Sequence, residues 1–378
     1  MKADGEVSLD GLHVVLLTAS ASRLGGGVAT AVVGQAQMIR SMGGQATIVA
    51  LEDAFSEEDR AAIEAPLVTA PVKGPAQIGY APDLLDLLLR SDADIVHLNG
   101  IWMYPSHAGA QWAKRTGRPY LVSPHGMLDP WIVARGRWKK ALARLGYERN
   151  SWSRAAALHA LTRDEGRDIG REAGDRPILT IPNAGPPATS EAVAARDPLV
   201  IYLGRIHPKK NLDALIDAWE QAELPPGAEL AIAGWGEPGD VSAFEERFAS
   251  APKSVSFLGP VHGEQKQRLL QRARFMVLAS HSEGLPMAIL ESWATGAPTI
   301  MTDACHLSEG FEAGAAIRCE TDAGSIARAL GQALALAPAE WQEMSSAALS
   351  LARERFSPGA VAREWVAAYR GLVAGVAL

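Results

Sequence analysis

Short apolar runs rich in β-branched and aliphatic residues recur along this 378-residue chain, and segments of helical periodicity separate them. HVVLLT (His13–Thr18) is followed by SASRLGGG and the helix pattern VATAVVGQAQMIRSMGG. QATIVAL and APLVTAP precede the helix DLLDLLLRS, and DIVHLNG leads to a helix near SHAGAQWAKR. PYLVSPHG (Pro119–Gly126), AAALHAL (Ala155–Leu161) and PILTIPN (Pro177–Asn183) continue the series. Strands that are apolar throughout need cover on both faces, and parallel strands connected through helices supply it. The alternation restarts at PLVIYLGR and runs through NLDALIDAW, AELAIAG, VSFLGP, ARFMVLAS, APTIMTD and AAIRCE to a helical tail. Between the two series, AGPPATSEAVAARDP (Ala184–Pro198) has the Pro/Ala/Ser composition of an interdomain linker. The expected architecture is α/β, with two Rossmann-like, doubly wound parallel-sheet domains and a cleft between them.

Length also favours two domains, each with its own core. Hydrophobic residues make up 48% and charged residues 21%, which describes a globular chain and not a disordered one. A net charge of −7 argues against a general nucleic-acid partner. Two cysteines, Cys305 and Cys319, without CxxC spacing fit a reducing compartment better than a disulfide scaffold. MKADGEVSLDG lacks the apolar core of a signal peptide, and no run approaches the ~20 apolar residues of a membrane span. The expected location is the cytoplasm.

The chemistry concentrates in HSEGLPMAILESWATGAPTI (His281–Ile300). It follows the strand-type run Ala273–Ser280, and an apolar helix pattern starts at Pro286, where a first-turn proline loses nothing because its N–H would be unpaired anyway. Glu283 then lies in a loop at the carboxyl end of a parallel strand, where open α/β sheets bind ligands. The helix N-terminus beside it suits a phosphate. Glu291 stands eight residues on, about two helical turns, so the two carboxylates reach different parts of one ligand. Carboxylates accept hydrogen bonds from hydroxyl pairs, which points to sugar or ribose; the plainer alternative is two solvated glutamates.

GRIHPKKN (Gly204–Asn211) places Arg205, Lys209 and Lys210 at another strand's carboxyl end beside a helix start, suited to a diphosphate. Gly25, Gly26 and Gly27 lie in a strand–loop–helix layout that fits a phosphate cradle and an ordinary turn equally well. His125, in SPHGMLDPW, follows a first-domain strand and would face the cleft, although a lone loop histidine is more often structural. Asn99, Trp102 and Tyr104 either hold an acceptor or pack the domain face. GWGEPG matches GxGxxG at Gly234, Gly236 and Gly239, but Pro238 interrupts it and no acidic strand end follows at ~20 residues, so it reads as a close-approach turn and not a dinucleotide site. Asp92 and Asp94 precede their strand and so lie at the edge away from the cleft. No cluster suggests a metal. From Asp129 to Arg154, seven Lys/Arg face two acids, interleaved with Trp131, Trp138, Tyr147 and Trp152. Segment 129–154 suits either peripheral contact with an anionic inner-membrane surface or a solvated helix with inward tryptophans.

Taken together, the glycine loop, SPHGMLDPW, IPNAG, GRIHPKKN, AGWG, FLGPV and above all EGLPMAILE resemble the retaining, GT-B-type glycosyltransferases of family 4 (group 1), over about residues 14–310. The resemblance implies an acceptor-side domain over 1–188, completed by a C-terminal helix at about 358–378, and a nucleotide-sugar-binding domain over 189–357. It implies that Glu283 contacts hydroxyls of the donor sugar, with backbone groups around Gly284, Leu285, Pro286 and Met287. Glu291 would bind ribose, Arg205 and Lys210 the diphosphate, and Gly26, Gly27 and Gly234 would approach the donor closely. His125 would touch the transferred sugar. No metal or other cofactor is implied; the co-substrate is a nucleotide-diphosphate sugar, UDP- or GDP-linked, and the acceptor a saccharide or polyprenyl-linked saccharide. IPNAG departs from the family in its alanine. SPHGMLDPW with GIWMYPS is similar to members that build bacterial exopolysaccharide, capsule or lipopolysaccharide. The competing readings are a GT-B-like sugar-nucleotide epimerase or phosphorylase, and a non-enzymatic or NAD-binding α/β protein.

Overall fold

Apolar β-branched runs become strands where neighbours can pair along them, and here they do so in two all-parallel sheets. The computed structural model describes residues 8–134, 137–189 and 196–376. The chain divides into two compact units, Met1–Pro182 with Val361–Leu378, and Asn183–Ala360. The first unit contains β1 (His13–Thr18), β2 (Gln45–Leu51), β3 (Leu67–Ala70), β4 (Ile95–Asn99), β5 (Tyr120–Ser123), β6 (Ala157–Ala160) and β7 (Ile178–Thr180). Their order is β3-β2-β1-β4-β5-β6-β7. The second contains β8 (Leu199–Arg205), β9 (Glu229–Trp235), β10 (Val255–Gly259), β11 (Phe275–Leu278), β12 (Thr299–Met301) and β13 (Ala316–Arg318), in the order β10-β9-β8-β11-β12-β13. Each sheet reverses its winding beside its first strand, at β1/β4 and at β8/β11. Such a switch point opens a crevice at the carboxyl ends of the strands.

Several strands are shorter than their apolar runs. Pro119–Gly126 yields only β5, because Pro124 offers no N–H and the backbone turns through positive φ at His125 (52°) and Gly126 (75°). Ala155–Leu161 and Pro177–Asn183 are trimmed to β6 and β7, and Ala273–Ser280 to β11. The tail forms three helices, Ala323–Ala335, Pro338–Glu354 and Pro358–Val373, the last two opening on proline. The described part of the expected linker is tied down: Gly185 N–H donates to Phe356 O at 2.7 Å, and Thr189 N–H to Ala294 O at 2.8 Å. Arg196 is buried and donates to the carbonyls of Leu270, Ala273 and Thr295.

Helix Pro358–Val373 packs on the first sheet through a buried polar chain whose direction is forced. His159 Nε2 faces the Ile181 carbonyl at 2.7 Å and must donate, so Nδ1 accepts from Ser123 Oγ at 2.7 Å. Ser123 therefore accepts from His97 Nε2 at 2.6 Å, and His97 Nδ1 accepts from the Tyr369 hydroxyl at 2.9 Å. Gln35 Nε2 donates to Tyr369 at 2.7 Å. Both imidazoles are neutral in this pattern, and burial lowers both pKa values, His159 to about 4. Trp365 covers the pair, with ring centroids 5.3 Å from His97 and 4.7 Å from His159.

Candidate active site

In the second unit two loops at the carboxyl edge are laced together. After β8, His207 Nδ1 accepts the Lys209 N–H at 3.0 Å and closes the turn Pro208–Lys210. Asn211 takes a left-handed conformation (φ 60°) that asparagine tolerates, immediately ahead of helix Leu212–Gln221. Its side chain donates to Ala279 O at 3.1 Å and Thr321 O at 2.7 Å. His281 N–H returns a bond to Lys209 O at 2.9 Å. These bonds bring Lys210 against Glu283 as an ion pair with side-chain exposures of 18% and 10%. Ser280 Oγ donates to the same carboxylate at 2.6 Å, and Glu283 N–H is held by Ala304 O at 2.9 Å. An acceptor-rich carboxylate and an ammonium with three donors therefore share one partly solvated position, chemistry that could serve hydroxyls and phosphate. Burial and the Glu283 charge push the Cys305 thiol and the Tyr202 phenol well up, so both stay neutral.

The helix after this loop starts at Met287, not at Pro286. Pro286 is its buried N-cap residue with extended backbone (φ −74°, ψ 101°), because the chain is still turning out of the loop there. Gly284 is exposed and a Cβ there would meet nothing within 4 Å, Leu285 is partly buried, and Met287 is exposed. Glu291 lies on this helix, half-buried, and pairs with Lys266 at 2.8 Å. Neither the basic helix Gly263–Arg272 nor Ser280 was singled out from the sequence, since nothing local marks a lysine 25 residues away as a partner.

Arg205 ends β8 and makes an exposed ion pair with Glu237 at 3.2 Å. It sits in register with Trp235 at the end of β9, whose indole is 59% exposed. Glycine at 234 is enforced by the fold itself: a Cβ there would lie 2.1 Å from Gly204 O. At 236 it would lie 2.4 Å from Ile206 O, so the GWG turn is a point of close backbone approach.

In the first unit the carboxyl ends of β1, β4 and β5 are level, since Thr18 pairs with Asn99 and Asn99 with Ser123. The glycine loop, Asn99 and His125 therefore occupy one edge. Gly25 is packed so tightly that a Cβ would lie 2.6 Å from Ser20 O, and Gly26 takes φ 53°. Around Gly26 and Gly27, at the start of helix Gly26–Ser41, a Cβ would meet nothing within 4 Å. Asp53 sets the loop, accepting from Ser20 Oγ at 2.7 Å, Ser22 Oγ at 2.8 Å and Phe55 N–H at 2.9 Å. Asn99 Nδ2 donates to His97 O at 3.1 Å, which turns Oδ1 toward His125 Nε2 at 2.8 Å. Burial lowers His125 to about 3, so it acts as a neutral imidazole with its proton on Nε2.

Trp102 is committed to packing. It has φ 77°, its N–H donates to Glu148 Oε1 at 2.5 Å, its indole N–H reaches Met127 O at 3.3 Å, and its ring lies edge-on to Trp152 at 5.9 Å. Tyr104 opens helix Tyr104–Thr116, edge-on to Tyr80 at 5.0 Å. Glu148, the last residue of the π-helical turn Arg144–Glu148, is fully buried; it also accepts from Ser106 Oγ at 2.8 Å, and burial pushes it up to about 7. Asp94 caps the amino end of β4, accepting the His13 N–H at 2.8 Å, and Asp92 pairs with Arg118 at 3.0 Å, both away from the functional edge. Among the described residues no group of three or more His, Cys, Asp or Glu could hold a metal ion. Nor is any helix among them long and apolar enough to cross a membrane.

Two Rossmann-like parallel-sheet units, each with charged or glycine-rich loops at the carboxyl edge, define a GT-B α/β fold. The same fold is seen in the crystal structure of Anabaena Alr3699/HepE in complex with UDP and glucose, with TM-score 0.73 and 17% identity, covering 95% of this chain and all of that one. Residues 26–184 match the glycosyl transferase 4-like domain, and residues 197–335 match the glycosyl transferases group 1. The chain belongs to the family 4-like glycosyltransferases of the GT-B fold. Among curated relatives, the mannosylfructose-phosphate synthase of Agrobacterium fabrum is 34% identical over 28% of this chain and 25% of that protein. The GDP-mannose:cellobiosyl-diphosphopolyprenol alpha-mannosyltransferase of Xanthomonas oryzae pv. oryzae is 26% identical over 61% of each. The chain thus spans less than two thirds of the length of either relative.

Proposed function

We propose that this protein is a retaining glycosyltransferase that moves a sugar from a UDP- or GDP-sugar to a saccharide or polyprenyl-linked saccharide acceptor in surface polysaccharide biosynthesis. The Lys210–Glu283 pair, held between two strand-end loops, carries the reading. An incoming diphosphate competes for the Lys210 ammonium, with Arg205 closing from the neighbouring strand end, and so releases Glu283 to accept sugar hydroxyls. The N–H groups of Gly284, Leu285 and Met287, Pro286 having none, lie at a helix start suited to the donor. Glu291, supported by Lys266, takes the ribose hydroxyls. Gly26, Gly27 and Gly234 allow close approach, and neutral His125, its Nε2 proton given to Asn99, accepts a hydrogen bond from the transferred sugar at Nδ1. The acceptor hydroxyl attacks the anomeric carbon on the face the diphosphate leaves, and its proton passes to the departing phosphate oxygen. The charge that develops there is met by Arg205 and Lys210, without a metal. The donor range and the lipid-linked acceptor draw support from the UDP and glucose bound by the Anabaena protein and from the activity named for the Xanthomonas relative.

The test is a thermal-shift panel of UDP, GDP, ADP, their sugars and NAD. One nucleoside diphosphate should stabilise the native state, by about 2.7 kcal/mol at a hundredfold excess over Kd. Arg205→Ala should weaken that binding roughly tenfold or more, the loss of a charge-assisted contact of about 1.5–3 kcal/mol. A shift with NAD alone would overturn the reading.

A further inference from the structure

Residues 130–147 contain no aspartate or glutamate and five Lys/Arg, in a chain of net charge −7. Helix Arg137–Ala143 runs through the π-helical turn Arg144–Glu148 into helix Arg149–Arg154. Trp138, Leu142 and Leu145 follow at spacings of four and three, so they share one face. They are 66%, 63% and 70% exposed, the largest exposures among the described large apolar side chains. Arg137, Lys139 and Arg149 are exposed around them, with Lys139 Nζ 5.4 Å from the Trp138 ring. The other two described cations turn away: Lys140 reaches the Ile132 carbonyl, and Arg144 pairs with Glu172. Of the tryptophans in this segment, Trp152 is buried and Trp138 exposed, while the Trp131 side chain lies outside the described residues.

We propose that the Trp138–Leu142–Leu145 face, rimmed by Arg137, Lys139 and Arg149, is a docking surface for an anionic lipid bilayer. Three exposed side chains fall far short of the ~800 Å² per partner that a stable protein interface buries. Insertion into a bilayer interface needs no shaped counterpart, only an apolar stripe with an indole and flanking cations. Arg137, Lys139 and Arg149 supply positive charge that the rest of the chain lacks in net terms, which selects anionic over zwitterionic headgroups. The proposal does not rest on the transferase reading, and its test uses no substrate.

The full chain is sedimented with vesicles of phosphatidylcholine alone and of phosphatidylcholine with phosphatidylglycerol. The protein should pellet with the anionic vesicles and be released by high salt. The triple variant W138S/L142S/L145S, exposed positions all, should keep the wild-type melting temperature and lose binding by about tenfold or more. R137Q/K139Q/R149Q should lose the preference for anionic lipid. Wild-type protein that stays in the supernatant, or a serine variant that binds as wild type, overturns the proposal. So does concentration-dependent dimerisation that depends on the three apolar residues while vesicles bind nothing.

Discussion

Glu283 and Lys210 each carry a charge that is largely removed from water, and each is the other's neutralising partner. Glu283→Ala leaves the ammonium without a counter-charge and should lower stability by about 1–3 kcal/mol. Glu283→Gln keeps an oxygen for Ser280 and changes no volume. It removes the counter-charge as well but keeps an acceptor for the ammonium, so it should destabilise less than Glu283→Ala, yet lose transfer by about a hundredfold or more, the scale of one missing transition-state contact. Calorimetry with single-turnover transfer separates the two variants, and near-wild-type transfer by Glu283→Gln would remove the residue from the site. Glu148 is the opposite kind of residue, a carboxyl whose protonated form burial favours. Its pKa is raised from 4.5 to about 7, so its contribution to stability is complete below about 4.5 and fades as pH rises through about 7. Glu148→Gln should remove that fall, read as melting temperature between pH 5 and 8. A slope unchanged by the substitution would mean that Glu148 is not its source.

At the level of elements, the site depends on strands and turns meeting closely enough that side chains must be absent. Adding a methyl at Gly234 sets it against the Gly204 carbonyl across the β8–β9 ladder. The backbone must part, so Gly234→Ala should cost about 1–3 kcal/mol or more and displace Arg205. Gly27→Ala meets no neighbour in the protein and should leave the melting temperature nearly unchanged. A drop in donor affinity in that variant would then report on a ligand and not on the fold. The strand–helix alternation made these elements legible in advance, because its periods are local. Strand ends were not, since β5 and β11 stop where pairing and proline end them, whatever the apolar run suggests. For the same reason the helix pattern placed Pro286 one residue too far inside its helix.

For the molecule as a whole, the first unit is closed by a helix from the far end of the chain, with Tyr369 bonded to His97 across 272 residues. The chain of bonds through His97 and His159 needs neutral rings, and burial lowers both, together with His125. Stability from a depressed histidine is present above its unfolded value of 6.5 and is lost as pH falls toward the folded value, about 4 for His159 and about 3 for His125. Glu148 works the other way between about 4.5 and 7, but three imidazoles outweigh one carboxyl. His13 and His107 are lowered by burial too, so the unfolded chain binds more protons than the native one across this range. Stability should therefore fall on acidification from pH 6.5 to 4.5, by about 1.4 kcal/mol per pH unit for each net proton taken up on unfolding. Denaturant titrations across that range check the sign, and a flat or rising profile would contradict it.

The sequence alone determined the class of fold and the strand edge that carries the candidate site. Parallel strands joined by crossovers bring every strand's carboxyl end to one side, so EGLPMAILE, GRIHPKKN and the glycine loop could be placed without knowing any contact. It also exposed the basic, acid-free stretch 130–147. Only the tertiary structure decided which charge answers which: Glu283 with Lys210 across 73 residues, Glu291 with Lys266 across 25, Asn99 turning His125, and Trp102 given over to Glu148 and Met127. Local periodicity fixes which way a side chain leaves its own strand or helix. What it meets there depends on how distant elements pack, and no repeat in the sequence records that.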